Sequence, residues 1–314
     1  MSAQQLADRA LLNLGRGLKE NGYRFITPTP LTHERFYQRL GTPLAVDLRD
    51  VFGWSMPFDH GLLPDAFREE LQQADVVVQH DSLWRSTVRW SSLSDLLFAH
   101  SAYPTTQADA VFFGPDSYRF AQLIEAHLQQ RFEPIKRAVD IGCGAGVGAL
   151  MIARARPDAE VMAVDINPRA LRLTAVNAEL AGLVNVSAYH SDVLGSVQGE
   201  FDLIVANPPY MNDDRERAYR HGGGALGEEL SVRIVGESLP RLALGGSLVL
   251  YTGVAIVAGE DPFLKAVMPL LVSDAVGWTY RELDPDVFGE ELDKPGYERV
   301  ERIAVVALTV TRLF

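Results

Sequence analysis

The pattern of apolar and polar positions divides the chain into two parts. In the first part, apolar positions recur mainly at helical spacing, as in the run from Leu6 to Leu18 that Gly22 ends. Further helices are predicted over Thr32–Leu40 and Leu63–Ala74, and two strands around the turn at Asp81. A turn-rich stretch from Ser101 to Asp109 then marks a boundary. We expect an N-terminal domain over residues 1–110, mostly helical with a short strand region, and a second domain over residues 111–314.

In the second part, predicted strands and helices alternate, which is typical of a parallel sheet covered by helices. Strands are predicted at Arg137–Ile141, Glu160–Val164, Asn185–His190, Asp202–Ala206 and Ser247–Tyr251, and helices at Ser117–Gln130, Gly148–Ala155, Pro168–Ala181 and Glu228–Leu239. Two β-rich runs, Val276–Leu283 and Arg302–Leu313, follow with no clear helix between them and predict an antiparallel pair. The predicted fold is α/β and Rossmann-like, mostly parallel with an antiparallel C-terminal strand.

A glycine-rich turn, Asp140-Ile-Gly142-Cys143-Gly144-Ala-Gly146, follows the first of these strands. Glycines let a backbone approach a ligand closely, and the next helix points its free N–H groups at that ligand. The run Gly144–Ala149 also fits the dinucleotide pattern, and the glycines would equally suit a tight turn without a ligand. Asp140 favours a cationic ligand, such as the amino group of methionine, over a pyrophosphate.

Carboxylates follow the next two strands. Asp165 ends the second strand, where a carboxylate can accept both hydroxyls of a ribose, a feature that dehydrogenases share. Asp192 follows the third strand, and we expect it near an adenine amino group. Both positions would also suit a helix cap, the latter more readily.

The tetrapeptide Asn207-Pro208-Pro209-Tyr210 follows the fourth strand, at the edge where open α/β sheets bind ligands. Its two prolines fix the backbone and remove two donors, which leaves carbonyls pointing outward. With the side-chain carbonyl of Asn207, they offer two acceptors for one planar NH₂ group, beside the aromatic ring of Tyr210.

With this tetrapeptide placed after the glycine turn and Asp165, the chain resembles class I S-adenosylmethionine-dependent methyltransferases of the release-factor glutamine N5-methyltransferase type and their N6-adenine relatives. The resemblance covers about residues 113–251, including Phe113-Gly114-Pro115 and the segment His221–Leu230. It implies S-adenosyl-L-methionine as the cofactor and a set of binding residues. These are Asp140, Gly142, Cys143, Gly144 and Gly146 toward the methionine, Asp165 and Ile166 toward the ribose, Asp192 toward the adenine, and Asn207 to Tyr210 toward the acceptor nitrogen, with Asn207 also bordering the cofactor.

Two departures from the family pattern concern the acceptor. The fifth strand of the family often ends in an acidic residue before glycine, whereas Tyr251-Thr252-Gly253 stands here. The N-terminal residues 1–110 do not match the short helical bundle of release-factor enzymes, and we expect them to select the substrate. The role of His221, close to the acceptor segment, stays open.

Charge and composition limit the classes of molecule that are expected to bind to the chain. The net charge is −12 over 314 residues, and both parts of the chain are acidic, which disfavours nucleic acid without excluding it. The single cysteine, Cys143, excludes an intrachain disulfide, and the histidines show no metal-binding spacing, so no metal is expected. No stretch approaches the ~18 apolar residues of a membrane span. We expect a cytoplasmic protein that does not enter membranes.

The sequence therefore predicts an S-adenosyl-L-methionine-dependent N-methyltransferase, acting on a protein glutamine or on another carboxamide or amine, including a small molecule. An N6-adenine methyltransferase of ribosomal or transfer RNA is the alternative within the same chemistry. A nucleotide-binding oxidoreductase would leave the tetrapeptide unexplained, and a catalytically silent binding module is disfavoured by the intact tetrapeptide.

Overall fold

The computed structural model describes residues 1–41, 43–131, 133–212, 220–224 and 226–314. The first part contains α1 (Ala3–Glu20), α2 (Pro30–Leu40), α3 (Leu48–Phe52), β1 (Phe58–Asp59), α4 (Asp65–Gln73), β2 (Val77–His80), β3 (Leu83–Ser86), β4 (Val88–Leu93) and β5 (Leu96–Ser101). The second part contains α5 (Pro115–Gln130), β6 (Arg137–Ile141), α6 (Val147–Ala155), β7 (Glu160–Asp165), α7 (Pro168–Ala181), β8 (Val186–His190), β9 (Phe201–Ala206), α8 (Glu229–Ser238), β10 (Leu242–Ile256), α9 (Pro262–Leu271), β11 (Val276–Asp284) and β12 (Arg302–Arg312).

A seven-stranded sheet in the order β11-β12-β10-β9-β6-β7-β8 organises the second part. Strands β10, β9, β6, β7 and β8 are parallel, and β12 runs antiparallel between β10 and β11. The predicted Rossmann-like α/β fold, including its antiparallel C-terminal strand, is confirmed. The sequence order reverses between β6 and β9, and such a switch point is where open α/β sheets form a binding crevice at the carboxyl ends of their strands.

Alternating side chains of the central strands feed two cores on opposite faces of the sheet. In β9, Leu203 and Val205 point into one apolar cluster, while Ile204 and Ala206 point into the other. The first cluster is continuous with the apolar residues of α5, α6, α7 and the N-terminal part. The second lies under α8 and α9. The sheet is therefore covered on both faces, as its apolar strands require.

Strands β4 and β5 and helices α9 and α3 were not predicted from the sequence. Strands β4 and β5 form a separate two-stranded sheet, and all residues of both strands are buried, so they lack the alternation that marks a half-exposed strand. Helix α9 carries Pro269 near its end, a residue that usually argues against a helix. Helix α3 has only five residues and is capped by the side chain of Asp47.

The buried amide of Asn177 on α7 joins the N-terminal part to the sheet. Its Oδ1 accepts the backbone N–H of Ala99 on β5 at 2.8 Å, and its Nδ2 donates to the carbonyls of Ala99 and Ala145 at 3.1 and 2.9 Å. The side chain thus takes the place of a neighbouring strand along the edge of β5 and reaches the glycine turn as well.

We expect Asn177→Leu to destabilise the protein strongly. Leucine has the same branched shape but is bulkier and apolar, so three buried backbone groups are left without partners, which costs about 3 kcal/mol or more of the free energy of unfolding. Urea denaturation followed by circular dichroism measures it. Asn21→Leu at the exposed end of α1 is the control and should change stability by less than about 1 kcal/mol. Equal effects of the two substitutions would contradict the role assigned to Asn177.

Among the helices that the structure describes, none is both long enough and apolar enough to cross a lipid bilayer.

Candidate functional site

A cavity of about 240 Å³ opens at the carboxyl edge of β6, β7 and β9, at the switch point of the sheet. It brings together nearly all site residues that the sequence predicts. The lining includes Asp140, Gly142, Cys143, Gly144, Asp165, Ile166, Asp192, Asn207, Pro208, Pro209 and Tyr210. The predicted donor and acceptor residues therefore border one continuous space.

The glycine turn depends on backbone conformations that favour glycine. Gly142 and Gly144 have φ angles of 65° and 55°, and no atom would contact a Cβ built on Gly142, so the turn is open on its cavity side. Gly146 is not among the residues that line the cavity. It begins α6 with φ of 85°, and a Cβ there would crowd Thr174 and Leu150, so its function is to let the helix start and pack.

Asp140 lies at the bottom of the turn, with 1% of its surface exposed. Its Oδ2 accepts the N–H of Ala149 at 2.8 Å, and its carboxyl group packs against Gly148, where a side chain would not fit. Burial raises the pKa of Asp140 to about 7, and the neighbouring carboxylate of Asp165 adds to the shift. The carboxyl group therefore exchanges its proton close to neutral pH and is poised to respond to a cation in the cavity.

Asp165 is held by two backbone donors, which fix its orientation. Oδ2 accepts the N–H of Gly144 at 3.0 Å and Oδ1 that of Asn167 at 2.8 Å, and burial raises its pKa. Each oxygen retains acceptor capacity for a further hydroxyl donor. The next residue, Ile166, is 50% exposed and offers an apolar surface to the cavity.

Two further residues that the sequence predicts to contact the cofactor, Asp192 and Cys143, differ from Asp165. Asp192 is exposed and forms a bidentate ion pair with Arg233, with N–O distances of 2.9 and 3.0 Å. Each of its oxygens therefore already accepts one bond from a cation and, like those of Asp165, keeps acceptor capacity for a further donor. Cys143 is buried with its sulfur 3.5 Å from the hydroxyl of Thr174, and burial raises the pKa of its thiol, so it is not a reactive nucleophile.

The tetrapeptide leaves β9 directly at the cavity. Asn207 is half-buried, and its side-chain amide makes no hydrogen bond to any residue that the structure describes, so it is available to a ligand. The segment after it is closed by pairing of Met211 with Arg220 and Gly222 through backbone bonds of 3.0 and 2.9 Å. His221 thus lies in the strand-like pairing beside the tetrapeptide and is absent from the cavity lining. Residue 225 of the segment His221–Leu230 lies outside the described residues.

Two glycines of that segment lie directly against the tetrapeptide backbone. A Cβ on Gly227 would overlap the carbonyl of Tyr210, and one on Gly222 would meet the carbonyl of Pro209 at 2.8 Å. The close approach explains why glycines are needed here.

A buried carboxylate that the sequence analysis missed holds Tyr210 in place. Asp116 on α5 accepts the hydroxyl of Tyr210 at 2.6 Å and that of Tyr251 on β10 at 2.7 Å. Only 3% of its surface is exposed, and burial raises its pKa against the opposing effects of the two tyrosines and of Arg119. Burial and the neighbouring carboxylate also raise the pKa of both phenols, so they remain protonated donors.

The position of Asp116 along the chain is the one sequence signal for its role. It comes directly after the Phe113-Gly114-Pro115 element, in the first turn of a helix where an acidic residue is ordinary. Tyr251, noted as a departure from the family pattern, is its partner. The carboxylate that meets Tyr251 comes from α5, and β10 itself contains no acidic residue.

The tetrapeptide at residues 207–210 and the carboxylate of Asp116 that holds it are called the acceptor corner below. We expect Gly253→Ala to disturb this corner, because a Cβ at this position would overlap the ring of Tyr210. The ring must shift and weaken its bond to Asp116, which should cost about 1–3 kcal/mol of stability. Chemical denaturation measures the loss, and a crystal structure of the variant shows the ring. Gly61→Ala is the control, since nothing lies within 4 Å of a Cβ there. An unmoved Tyr210 ring with unchanged stability would contradict this packing.

Most of the residues that line the cavity lie in a segment that matches a known protein family. Residues 108–253 match the family model described as the methyltransferase small domain. This segment includes the Phe113-Gly114-Pro115 element, the glycine turn, Asp165, the tetrapeptide and Gly253. The match favours the methyltransferase interpretation of the glycine turn over the dinucleotide one.

Three of the similar proteins represent two kinds of methyltransferase. The chain is 33% identical over 197 residues to a release factor glutamine methyltransferase from Deinococcus radiodurans, covering 60% of this chain and 66% of that protein. A release factor glutamine methyltransferase from Escherichia coli is 33% identical over 144 residues, 42% of this chain and 51% of that protein. A ribosomal RNA small subunit methyltransferase C from Shewanella loihica is 37% identical over 110 residues, 35% of this chain and 29% of that protein. The chain thus spans 66% or less of the length of these relatives.

Proposed function

We propose that the chain is an S-adenosyl-L-methionine-dependent N-methyltransferase, since residues 108–253 match the methyltransferase small domain model. Its acceptor is a carboxamide or amino nitrogen, with a protein glutamine as the favoured acceptor. The observation that carries the proposal is the free Asn207 amide beside the locked Tyr210, at the same cavity as the glycine turn.

The donor side of the cavity fits S-adenosyl-L-methionine. The oxygens of Asp165 can accept two ribose hydroxyls, and Ile166 offers an apolar surface for a base. Asp140, at the start of the glycine turn, offers a carboxylate for an ammonium group. The open side of Gly142 lets the ligand reach the backbone. When bound, S-adenosyl-L-methionine supplies an electrophilic methyl group on a sulfonium. The oxygens of Asp192, which accept from Arg233, can still accept an amino N–H at the adenine edge.

The acceptor side orients a nitrogen whose lone pair is delocalised. The side-chain carbonyl of Asn207 and the backbone carbonyl of Pro208 accept the two N–H groups and so fix the plane of the acceptor. The same oxygens stabilise positive charge that develops on the nitrogen. The ring of Tyr210, held by Asp116, forms a wall against the planar acceptor and limits access of water. No group has to remove a proton before methyl transfer, because the proton is released afterwards from a more acidic nitrogen.

The relatives support two acceptor classes. The release factor glutamine methyltransferases favour a protein glutamine, and their matches extend over more of this chain than that of the ribosomal RNA methyltransferase. A base of ribosomal RNA is the second candidate, because the same corner accepts an exocyclic amino group equally well. Labelled methyl transfer into a lysate of cells lacking the protein, separated into protein, RNA and small-molecule fractions, distinguishes these acceptors.

We expect Asn207→Ala to reduce methyl transfer by about 10²–10³-fold, the usual effect of deleting one preorganised hydrogen-bonding group at a reacting centre. Donor affinity, measured by calorimetry, should change only a few fold. Asn21→Ala, on the exposed end of α1, serves as the control and should retain full activity. Transfer by the Asn207 variant at the wild-type rate would overturn the assignment of the acceptor corner.

We expect donor affinity to rise with pH between about 6 and 8. Burial raises the pKa of Asp140 to about 7, so below this pH the group is mostly protonated and must lose its proton to attract the ammonium group of the donor. Affinity should therefore increase up to about tenfold per pH unit below the pKa and level off above it. Calorimetry in buffers of different ionisation enthalpy reports the released proton. Asp140→Asn should bind more weakly with no such pH dependence, and the same slope in that variant would contradict the prediction.

A further inference from the structure

A second recess lies in the N-terminal part, between the β2–β3 hairpin and the segment of residues 101–110. Its volume is about 180 Å³, smaller than the 240 Å³ of the cavity at the edge of the sheet. Its lining is rich in groups that can hydrogen-bond, including Arg85, Thr87, Tyr103, Thr106 and Gln107. A small recess with this polar lining suits a single charged side-chain group.

Arg85, on β3, lines the recess and forms no ion pair with any residue that the structure describes. Most arginines of the second part, in contrast, are paired with carboxylates or backbone carbonyls; these include Arg119, Arg137, Arg154, Arg172, Arg233 and Arg312. A half-buried cation that lacks a counter-ion inside the chain is available to an anion from outside.

A second arginine adds positive charge behind the first. Arg89 on β4 is 4% exposed, its Nη2 is 2.7 Å from Nδ1 of His33, and its Nε has no hydrogen-bond partner among the described residues. Both Arg85 and Arg89 lower the pKa of His33, together with the larger effect of burial, to about 3. His33 therefore stays neutral, and it stacks on Tyr103 with the ring centroids 3.9 Å apart.

Two carboxylates lie in the neighbourhood of this group without pairing with the arginines. Asp50 and Glu34 raise the pKa of Tyr37 and Tyr103, respectively, so they lie in the neighbourhood. Asp50 accepts the backbone N–H of Val46, and Glu34 accepts the side-chain amide of Gln38. Neither forms an ion pair with Arg85 or Arg89 among the described residues, which leaves both guanidinium groups without a carboxylate in direct contact.

The wall of the recess is shared with the donor cavity. Ala110 lines both spaces. The segment before it is tied to the turn after β7, since Arg169 donates to the side-chain carbonyl of Gln107 at 2.5 Å and Asn167 donates to the carbonyl of Asp109 at 2.9 Å. An anion in the recess is thereby held at a fixed position relative to the cavity in which methyl transfer is proposed.

We propose that this recess binds a carboxylate of the protein acceptor, an acidic side chain close to the methylated residue, with Arg85 as its counter-ion. The inference rests on the proposed function and names a feature of its substrate. A peptide carboxylate fits better than a nucleic-acid backbone, because the recess holds one lining cation and the whole chain carries a net charge of −12. Nucleic-acid binding depends on several phosphate contacts. The guanidinium of Arg85 can hold a carboxylate through two parallel hydrogen bonds.

The test uses the full chain and glutarate as the probe, with neutral glutaramide as the matched uncharged compound. Arginine Nε–Hε signals in NMR spectra are followed during each titration. We expect glutarate to shift the Arg85 signal in a saturable way and glutaramide to leave it unchanged. Arg85→Gln should weaken glutarate binding at least tenfold, Arg85→Lys should weaken it less, and Arg16→Gln on the exposed face of α1 should have no effect. Circular dichroism shows that each variant is folded.

The outcomes separate this inference from the proposed function, because glutarate binding needs neither the donor nor turnover. Absence of a saturable shift, or equal binding by wild type and Arg85→Gln, overturns the carboxylate site even if methyl transfer occurs. Competition by an octauridylate at concentrations far below those of glutarate would also overturn it in favour of a phosphate backbone. If Asn207→Ala loses methyl transfer but still binds glutarate, the carboxylate site is supported. The loss of activity then concerns only the acceptor corner.

Discussion

One buried carboxylate sets the geometry of the acceptor corner. Asp116 accepts hydrogen bonds from two phenolic hydroxyls, which come from the tetrapeptide and from the middle of β10. A buried ionisable group without partners would be costly, so the three side chains must be placed together. Helix α5, the sheet and the segment after β9 are thereby fixed against one another, and the prolines that precede Tyr210 gain a rigid support.

The two walls of the main cavity differ in how they are built. On the donor side, backbone conformation matters most, because left-handed glycines shape the turn and two carboxylates are oriented by backbone N–H groups. On the acceptor side, side-chain packing matters most, because the ring of Tyr210 fills the space that Gly253 leaves open. Substitutions on the two sides are therefore expected to separate cofactor binding from alignment of the acceptor.

Local sequence signals predicted most of the second part of the fold, because the central strands are apolar runs bounded by turn residues and α5 and α7 each have a proline at their start. Helix α7 was predicted with its observed bounds, Pro168–Ala181. The fully buried strands β4 and β5 lack alternation and escaped prediction. Asp116 escaped because its significance lies in contacts with residues 94 and 135 positions away, which no local pattern records.

The amide of Asn177 connects regions that are distant along the chain, and the apolar cluster beneath it contains residues of both parts. Neither part can lose its structure without exposing polar backbone and apolar surface of the other. Heating or denaturant is thus expected to melt the molecule in a single cooperative transition, and a protease should find no stable fragment to release at the 101–110 segment.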